Sequence, residues 1–536
     1  MGKAWCHRYN VGGGHVMSLA RDVTTVGSAT LLSRLLGFFR DAGIAAVLGA
    51  GVLSDAFFAA LQIPNLFRRL LAEGALNSAF VPMWLRLKEE SGERGARRFA
   101  EMVLGPMLVA LGAIAVLCVV FAPAVVHVLA PGFSDPGERF LLAVDFVRVS
   151  VPYVAVAGLV AVAAATLNAE GQVAAAASGL VVFNVVMVTA VAAVLFSGLG
   201  ATPLAGAILS GSIVAAGVCQ FLLVGGALFG LREPPVTPRL RRSPEVGRFF
   251  ALMVPGVVAG GVPQLKLMAG AMVASSSPAA VSWLYYANRL YELPLGVVSI
   301  AIASVMVPLI AASVRAGDRA AIAGAQSRAF EIALALSLPS ALAFALLSDS
   351  IAGGLFERGA FGPRDTAAVA GALAAICAGL PGHTLEKVLG AVSFAHEDTR
   401  TPMLAALAGL GTALAGALLL FPGYGHVGVA AAIAISGWVG AALLYVVLAR
   451  RRWLVVDRDL WRRLPRIVTA AAVMGLTLVV LKGLLTTTFD LTGSSIARVA
   501  SLAVLVATGL AVYLVGLQLF GVAKLRELIA AIRHGL

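Results

Sequence analysis

The chain is a succession of apolar runs, each long enough to cross a bilayer, and several of them carry arginines. A spanning helix needs about 20 mainly apolar residues. Such runs occupy 22–48, 54–85, 100–122, 142–168, 173–197, 202–228, 249–274, 283–313, 327–347, 365–395, 402–421, 427–449, 467–483 and 496–519, fourteen in all. Backbone groups in hydrocarbon must be satisfied within the segment, so runs of this length predict helices and an all-α polytopic membrane protein. Arg34 and Arg40 fall in the first run, Arg68 and Arg69 in the second, and Arg289 in the eighth. An arginine at the bilayer centre costs about 2.5–3.5 kcal/mol on the mildest insertion scale. These residues must pair or face a polar cavity. Cations in excess of nearby acids point to a cavity for an anion.

Composition agrees with the membrane reading. The chain is 60% hydrophobic and 12% charged, against about 45–50% and about 25% in soluble domains. The net charge of +13 does not imply a nucleic-acid partner, because the basic residues cluster in short loops between apolar runs. Four scattered cysteines (Cys6, Cys118, Cys219, Cys377) show no CxxC spacing, so neither a metal site nor a disulfide framework is expected.

The loops set an expected orientation. Arg86, Lys88, Arg94, Arg97 and Arg98, then Arg232, Arg239, Arg241, Arg242 and Arg248, then Arg315, Arg319 and Arg328 lie in alternate loops. The intervening loops are nearly free of Lys and Arg, apart from Arg139, Arg358, Arg364 and Arg498 near their edges. This pattern predicts both termini in the cytoplasm. Residues 1–20 read as a tail with no helical pattern, and Met17 is a candidate start that N-terminal sequencing would test. Residues 21–230 form an expected N-lobe, 231–248 a basic cytoplasmic linker and 249–449 a C-lobe. Residues 450–466 (RRRWLVVDRDLWRRLPR) read as an amphipathic connector along the inner headgroup surface. Residues 467–520 hold the last two spans, and 521–536 a cytoplasmic tail.

The second and eighth runs echo each other. One holds LQIP and AFVP (Pro64, Pro82), the other YELP and VMVP (Pro294, Pro308). Both run in the same direction, as in parallel repeats with a site between two lobes.

The polar residues inside the runs define the candidate site. Asp41 follows Arg34 by seven and Arg40 by one, and a pair with either is expected. Gly37 and Gly43 permit a bend that turns both arginines inward. Arg69 and Glu73 are spaced as an intrahelical pair, which leaves Arg68 as the freer cation. Asp55, at the end of its run, either makes a gate contact or faces water. Pro64 and Asn65 interrupt the backbone ladder, as where a helix lines a cavity. In the eighth run Arg289 and Glu292 are placed to pair, and Asn288 precedes them. Tyr285, Tyr286 and Tyr291 suit either a cavity lining or an interfacial aromatic belt. Lys266, near Gln264, is another buried cation that needs a carboxylate or a substrate. Glu386 and Lys387 suggest helix packing or a local network. No HExxH, GxSxG or Walker loop occurs and the loops are short, so an enzyme is not expected.

The run LLSRLLGFFRDAGIAAVLGAGVLSDAFFAALQIPNLFRRLLAEGALNSAFVP closely resembles the MurJ (MviN) lipid II flippases of the multidrug/oligosaccharidyl-lipid/polysaccharide exporter superfamily. VSWLYYANRLYELPLGV, LFERGAF (355–361) and EKVLGAVSFAHEDTRTPM (386–403) extend the resemblance through both lobes. It implies fourteen spans, two six-helix lobes around a central cavity plus two C-terminal helices. It also implies a substrate, the undecaprenyl-pyrophosphate-linked disaccharide-pentapeptide lipid II, moved to the outer leaflet of the bacterial cytoplasmic membrane for peptidoglycan synthesis. By motif, the pyrophosphate-binding arginines correspond to Arg34, Arg40, Arg68 and Arg289, and functional acids to Asp41, Asp55 and Glu292. The last two spans would extend a groove for the lipid tail. Partners would be lipid II, membrane lipids and cell-wall synthesis or division proteins. Two departures stand out: Asn288 replaces a frequent Asp, and Lys266 adds a cation. Relatives that hold sodium use Asp and Asn on spans seven and eleven. The run 402–421 contains neither, so the expected driver is the membrane potential rather than sodium, with no cofactor. The competing readings are a flippase for another polyprenyl-linked glycan, a cation-coupled drug exporter, an enzyme acting on the same lipid and a non-transporting scaffold.

Overall fold

The computed structural model describes residues 13–72, 75–134, 136–235, 237–241, 243–488 and 495–522. Each predicted run lies on helix. The first lobe comprises α1 (Gly13–Leu48), α2 (Val52–Ala72), α3 (Ala75–Val120), α4 (Ala122–Leu129), α5 (Glu138–Ser150), α6 (Tyr153–Ala169), α7 (Val173–Phe196) and α8 (Pro203–Leu228). The second comprises α9 (Pro244–Ala274), α10 (Ala280–Ala301), α11 (Val307–Ala316), α12 (Arg319–Leu346), α13 (Ser348–Phe356), α14 (Pro363–Cys377), α15 (Leu380–Ala395) and α16 (Arg400–Arg450). Helices α17 (Arg458–Thr488) and α18 (Ser495–Leu519) follow. Among the described residues nine helical stretches are long and apolar enough to span. Some hold two runs joined across a kink, at Gly92 (φ 70°) in α3 and at Gly425 (φ 55°) in α16. Only the absence of a Cβ makes those backbone conformations inexpensive.

The internal echo extends beyond prolines. In the first lobe short α4 precedes a span broken into α5 and α6. In the second, short α13 precedes a span broken into α14 and α15. The eighth run is likewise broken, by a π turn at Ile302–Met306 between α10 and α11. Broken helices free backbone groups, which is tolerable in a membrane where they line a cavity.

Helix α9 ties the lobes together. Near its start Phe249 meets Phe80 and Phe99 of α3, with ring centroids 6.1 and 6.0 Å away. Near its end Gly270 lies against Val429 and Ile433 of α16. The linker before it is pinned to α3, where the Arg239 amide donates to the Glu101 carbonyl at 2.9 Å.

Two segments differ from expectation. Helix α1 begins at Gly13, so part of 1–20 is helical; residues 1–12 lie outside the described set. Residues 458–466 are the opening turns of α17 rather than a separate surface helix. The stretch before them is strapped to α12. Gln326 donates to the Trp453 carbonyl and accepts from the Val455 amide, both at 2.9 Å, and Ser327 Oγ accepts from the Asp457 amide at 2.9 Å. Trp453 stacks on His396, while Trp461 stays 68% exposed. The C-terminal pair docks on the second lobe, where the Tyr513 hydroxyl donates to the Ala335 carbonyl at 2.6 Å.

Candidate functional site

The arginines of the apolar runs converge where α1, α2 and α10 meet. Arg40 pairs with its neighbour Asp41 at 2.8 Å. The second oxygen of Asp41 takes Arg289 of α10. Arg289 reaches Glu292 at 3.1 Å, and Glu292 takes Arg69 of α2 at 2.5 Å. The result is an alternating chain, Arg40–Asp41–Arg289–Glu292–Arg69, that crosses from one lobe to the other twice. Among the described residues these ion pairs join three arginines through two carboxylates. Asp41 is fully buried, and the other four are 15–27% exposed. Sharing each carboxylate between two guanidinium groups offsets the cost of taking it out of water.

Local sequence explains the geometry. Helix α1 runs unbroken through Gly37 to Leu48, and Gly37 makes room. A Cβ there would lie 3.0 Å from the Arg289 guanidinium. One turn beyond it, Arg40 also donates to Asn184 of α7 at 3.0 Å. The Asn184 amide in turn donates to Ser33 and to the Leu180 carbonyl. Asn288 donates to Glu292 at 3.3 Å, which helps to fix that acid. Arg34 lies closer to the start of α1 and is exposed, its guanidinium packed where a side chain at Gly296 of α10 would stand. Among the described residues no carboxylate pairs with it. Glu73 lies outside the described residues, and Arg69 reaches across to Glu292.

Two cavities adjoin this chain. One of about 100 Å³ between the lobes is lined by Arg40, Asn65, Arg68, Arg69, Gln264, Asn288, Arg289 and Glu292, with Phe58 and Tyr285 as walls. The buried carbonyl oxygen of Gln62, also in this lining, has no partner among the described residues. Arg68 also lines a cavity of about 200 Å³ within the first lobe, beside Asn77, Asn168 and Gln220. A third, of about 870 Å³, lies mostly in the second lobe and reaches Arg69 of the first; Lys266, Asn288, Tyr291, Glu292, His383, Glu386 and Lys387 also line it. Lys266 and Glu386 are 3.7 Å apart there. Arg34 is not part of the lining of any of these; it stands on the seam between α1 and α10.

The opposite end of α1 and α10 is sealed. Asp55, fully buried, accepts from the Ala279 amide at 2.7 Å, the Ser282 amide at 3.0 Å and the Ser282 hydroxyl at 2.6 Å. It thereby caps α10 from the other lobe, with Arg139 at 3.5 Å. The Tyr286 hydroxyl donates to the Gly49 carbonyl at 3.1 Å, and the Ala360 amide to the Ala46 carbonyl at 2.9 Å. The three tyrosines therefore belong to the interior and not to an interfacial belt. Tyr285 stacks on Phe58 at 3.8 Å, Tyr286 is sealed among Phe356 and Phe361, and Tyr291 lies 2.9 Å from His383 Nδ1.

The structure brings Arg40, Asp41, Arg68, Arg69, Arg289 and Glu292 together, and puts Asp55 at the seal and Arg34 on the seam. It adds Asn184, Gln62, Ser282 and Arg139, which sequence reasoning missed. The isolated Asn in VVFNVVMV was the available signal for Asn184. Arg139 was set aside as a loop-edge charge, and Ser282 carried no signal.

Comparisons with known proteins show the family and the fold. The family described as lipid II flippase MurJ matches residues 44–500. A probable lipid II flippase MurJ of Rhizobium meliloti (strain 1021) is 38% identical over 526 residues, 97% of either chain. The lipid II flippase MurJ of Burkholderia cenocepacia is 31% identical over 81% of this chain and 84% of its own. A solved lipid II flippase MurJ in an inward closed conformation shares the fold with TM-score 0.76 at 23% identity, over 94% of this chain and 99% of that one. An inward-facing multidrug resistance MATE transporter of the MOP superfamily follows with TM-score 0.65 at 16% identity, over 80% and 98%. The matches run through both lobes and the crossing helix between them, and on that evidence the chain belongs to the lipid II flippase MurJ family.

Proposed function

We infer that this chain is a lipid II flippase of the bacterial cytoplasmic membrane, a multi-pass transporter and not an enzyme. It moves the undecaprenyl-pyrophosphate-linked peptidoglycan precursor from the inner to the outer leaflet by alternating access. The observation that carries this reading is the inter-lobe chain of three arginines on two carboxylates, with Arg68 and Arg34 adding cations beside it.

In this reading the basic loops and both termini face the cytoplasm, and the Asp55–Ser282 seal faces outward. The cavities then open to the inner leaflet. A pyrophosphate offers several oxygens to the planar forks of Arg40, Arg68, Arg69 and Arg289, which bind it better than lysines would. To do so it displaces Asp41 and Glu292 from shared guanidinium groups. Those carboxylates are then less firmly held across the lobes, so substrate has different affinities for the closed and open arrangements. That difference is what lets it shift the equilibrium between them. Arg34, on the α1–α10 seam beside exposed Leu31, Leu32, Leu35 and Phe39, meets the phosphates as they enter while the polyprenyl tail stays in lipid. The membrane potential, worth about 2.3 kcal/mol per charge per 100 mV, drives the return.

Competition on the purified protein tests the substrate class. Unlabelled lipid II should displace a fluorescent lipid II analogue, and lipophilic cations should not. Displacement by the cations and not by lipid II would identify a drug exporter instead.

A further inference from the structure

One buried ion pair stands outside the Arg40–Asp41–Arg289–Glu292–Arg69 chain, across the cavity that Arg69 and Glu292 also line. Lys266 of α9 and Glu386 of α15 face each other in the large second-lobe cavity, with side chains 7% and 18% exposed. Their seat is carved from α16 by glycines. A Cβ at Gly409 would lie 2.7 Å from Lys266 Nζ, one at Gly440 2.8 Å from the Glu386 carboxyl, and one at Gly437 2.5 Å from His383 Nδ1. Three glycines thus open a polar chamber inside a helix packing interface, where ordinary side chains would close it.

The pair differs from the other acids of the membrane interior. Asp41 holds two arginines, Glu292 holds two and an amide, and Asp55 accepts two backbone amides and a hydroxyl. Glu386 has Lys266 at 3.7 Å, beyond hydrogen-bond contact, and an open cavity beside it. It is the carboxylate that gains or loses a proton with the least rearrangement. The charged and titratable groups around it are Arg69 on α2, Lys266 on α9, Tyr291 and Glu292 on α10, His383 and Lys387 on α15, and Arg400 on α16. On α12, Glu331 is turned to Arg463 at 2.8 Å.

We propose that Lys266 and Glu386 form a proton-binding site that couples proton entry to the movement of α9 and hence of the two lobes. This deepens the flippase reading and rests on it. A proton taken up by the Glu386 carboxylate turns it into a neutral acid and releases the Lys266 ammonium. Helix α9, whose other end packs on the first lobe, is then no longer tied to α15 by charge. Loss of the proton restores the tie. The proton is also a charge on which the membrane potential acts.

The test uses the full-length protein in liposomes with potassium buffers and no sodium. Spin labels across the Asp55–Ser282 seal report the inter-lobe distance as pH is varied. A single-proton switch changes the population ratio by up to about tenfold per pH unit. The wild-type chain should show such a transition, and Glu386→Gln should hold one population at every pH. Lys266→Gln, which removes the counter-charge, should move the midpoint upward, and it carries the test if Glu386→Gln does not insert. A pH response in Glu386→Gln equal to wild type, or none in wild type, would overturn the proposal. If the pH response is present but cells show no lipid II on the outer leaflet, the substrate reading fails and the proton site stands.

Discussion

Asp41 and Arg34 sit on one helix and differ in what their removal should do. Asp41 is fully buried between Arg40 and Arg289. Replacing it with Asn leaves two guanidinium groups without their shared anion, and breaking such a buried pair costs about 3–5 kcal/mol. Asp41→Asn should therefore lower the thermal unfolding midpoint of the detergent-solubilised protein. Arg34 is exposed and has no carboxylate partner among the described residues, so Arg34→Ala should change stability by less than about 0.5 kcal/mol. An equal loss in both variants would mean that Arg34 is part of the scaffold. The arginines were legible in the sequence because a cation in an apolar run has few tolerable positions. Their partners were not, because Arg289 and Asp41 are 248 residues apart and Arg69 and Glu292 are 223 apart. Local spacing suggested Arg69–Glu73, and nothing in the sequence alone could reveal that Arg69 also reaches the other lobe.

At the level of elements, the seal depends on backbone as much as on charge. Gly49 and Gly359 have φ of 65° and 61°, and a Cβ at either would run into Ala360 or Ala46 across the lobes. This accounts for the LFERGAF segment: its glycine and alanine are the contact surface, and its second phenylalanine packs on Tyr286. A valine at Gly359 combines left-handed strain of about 1–2 kcal/mol with that collision. Gly359→Val should open the seal, read as faster thiol labelling of a cysteine placed at Ser282 or Ala279. Asp55→Asn removes a charged cap from α10, worth about 1 kcal/mol. It should raise the open population by about fivefold, and an unchanged labelling rate would exclude Asp55 from gating. Helix positions were readable from apolar runs, since length and hydropathy determine them. Helix breaks were less so. Pro64 and Pro294 were visible, yet each lies inside a continuous helix, α2 and α10; the paired breaks α5–α6 and α14–α15 fall elsewhere, and the run from Arg458 opens α17.

At the scale of the whole molecule, two lobes of like element order are joined by α9, sealed at one end and linked by a charge chain of arginines and carboxylates. Such an arrangement is bistable when substrate competes with Asp41 and Glu292 for the arginines that join the lobes. Fold class and family were legible because long motifs cover both lobes. The chamber around Lys266 was not, since Gly409, Gly437 and Gly440 mean nothing until α15 and α9 are placed against them. The measurement that bears most directly on the account is lipid II on the outer leaflet of cells depleted of their own flippase. Those cells would express either this chain or an equally abundant Arg34→Ala variant. The account predicts that the intact chain restores exposure and the variant does not. Restoration by both would contradict the part given to Arg34 in capturing the phosphates, and restoration by neither would contradict lipid II as the substrate.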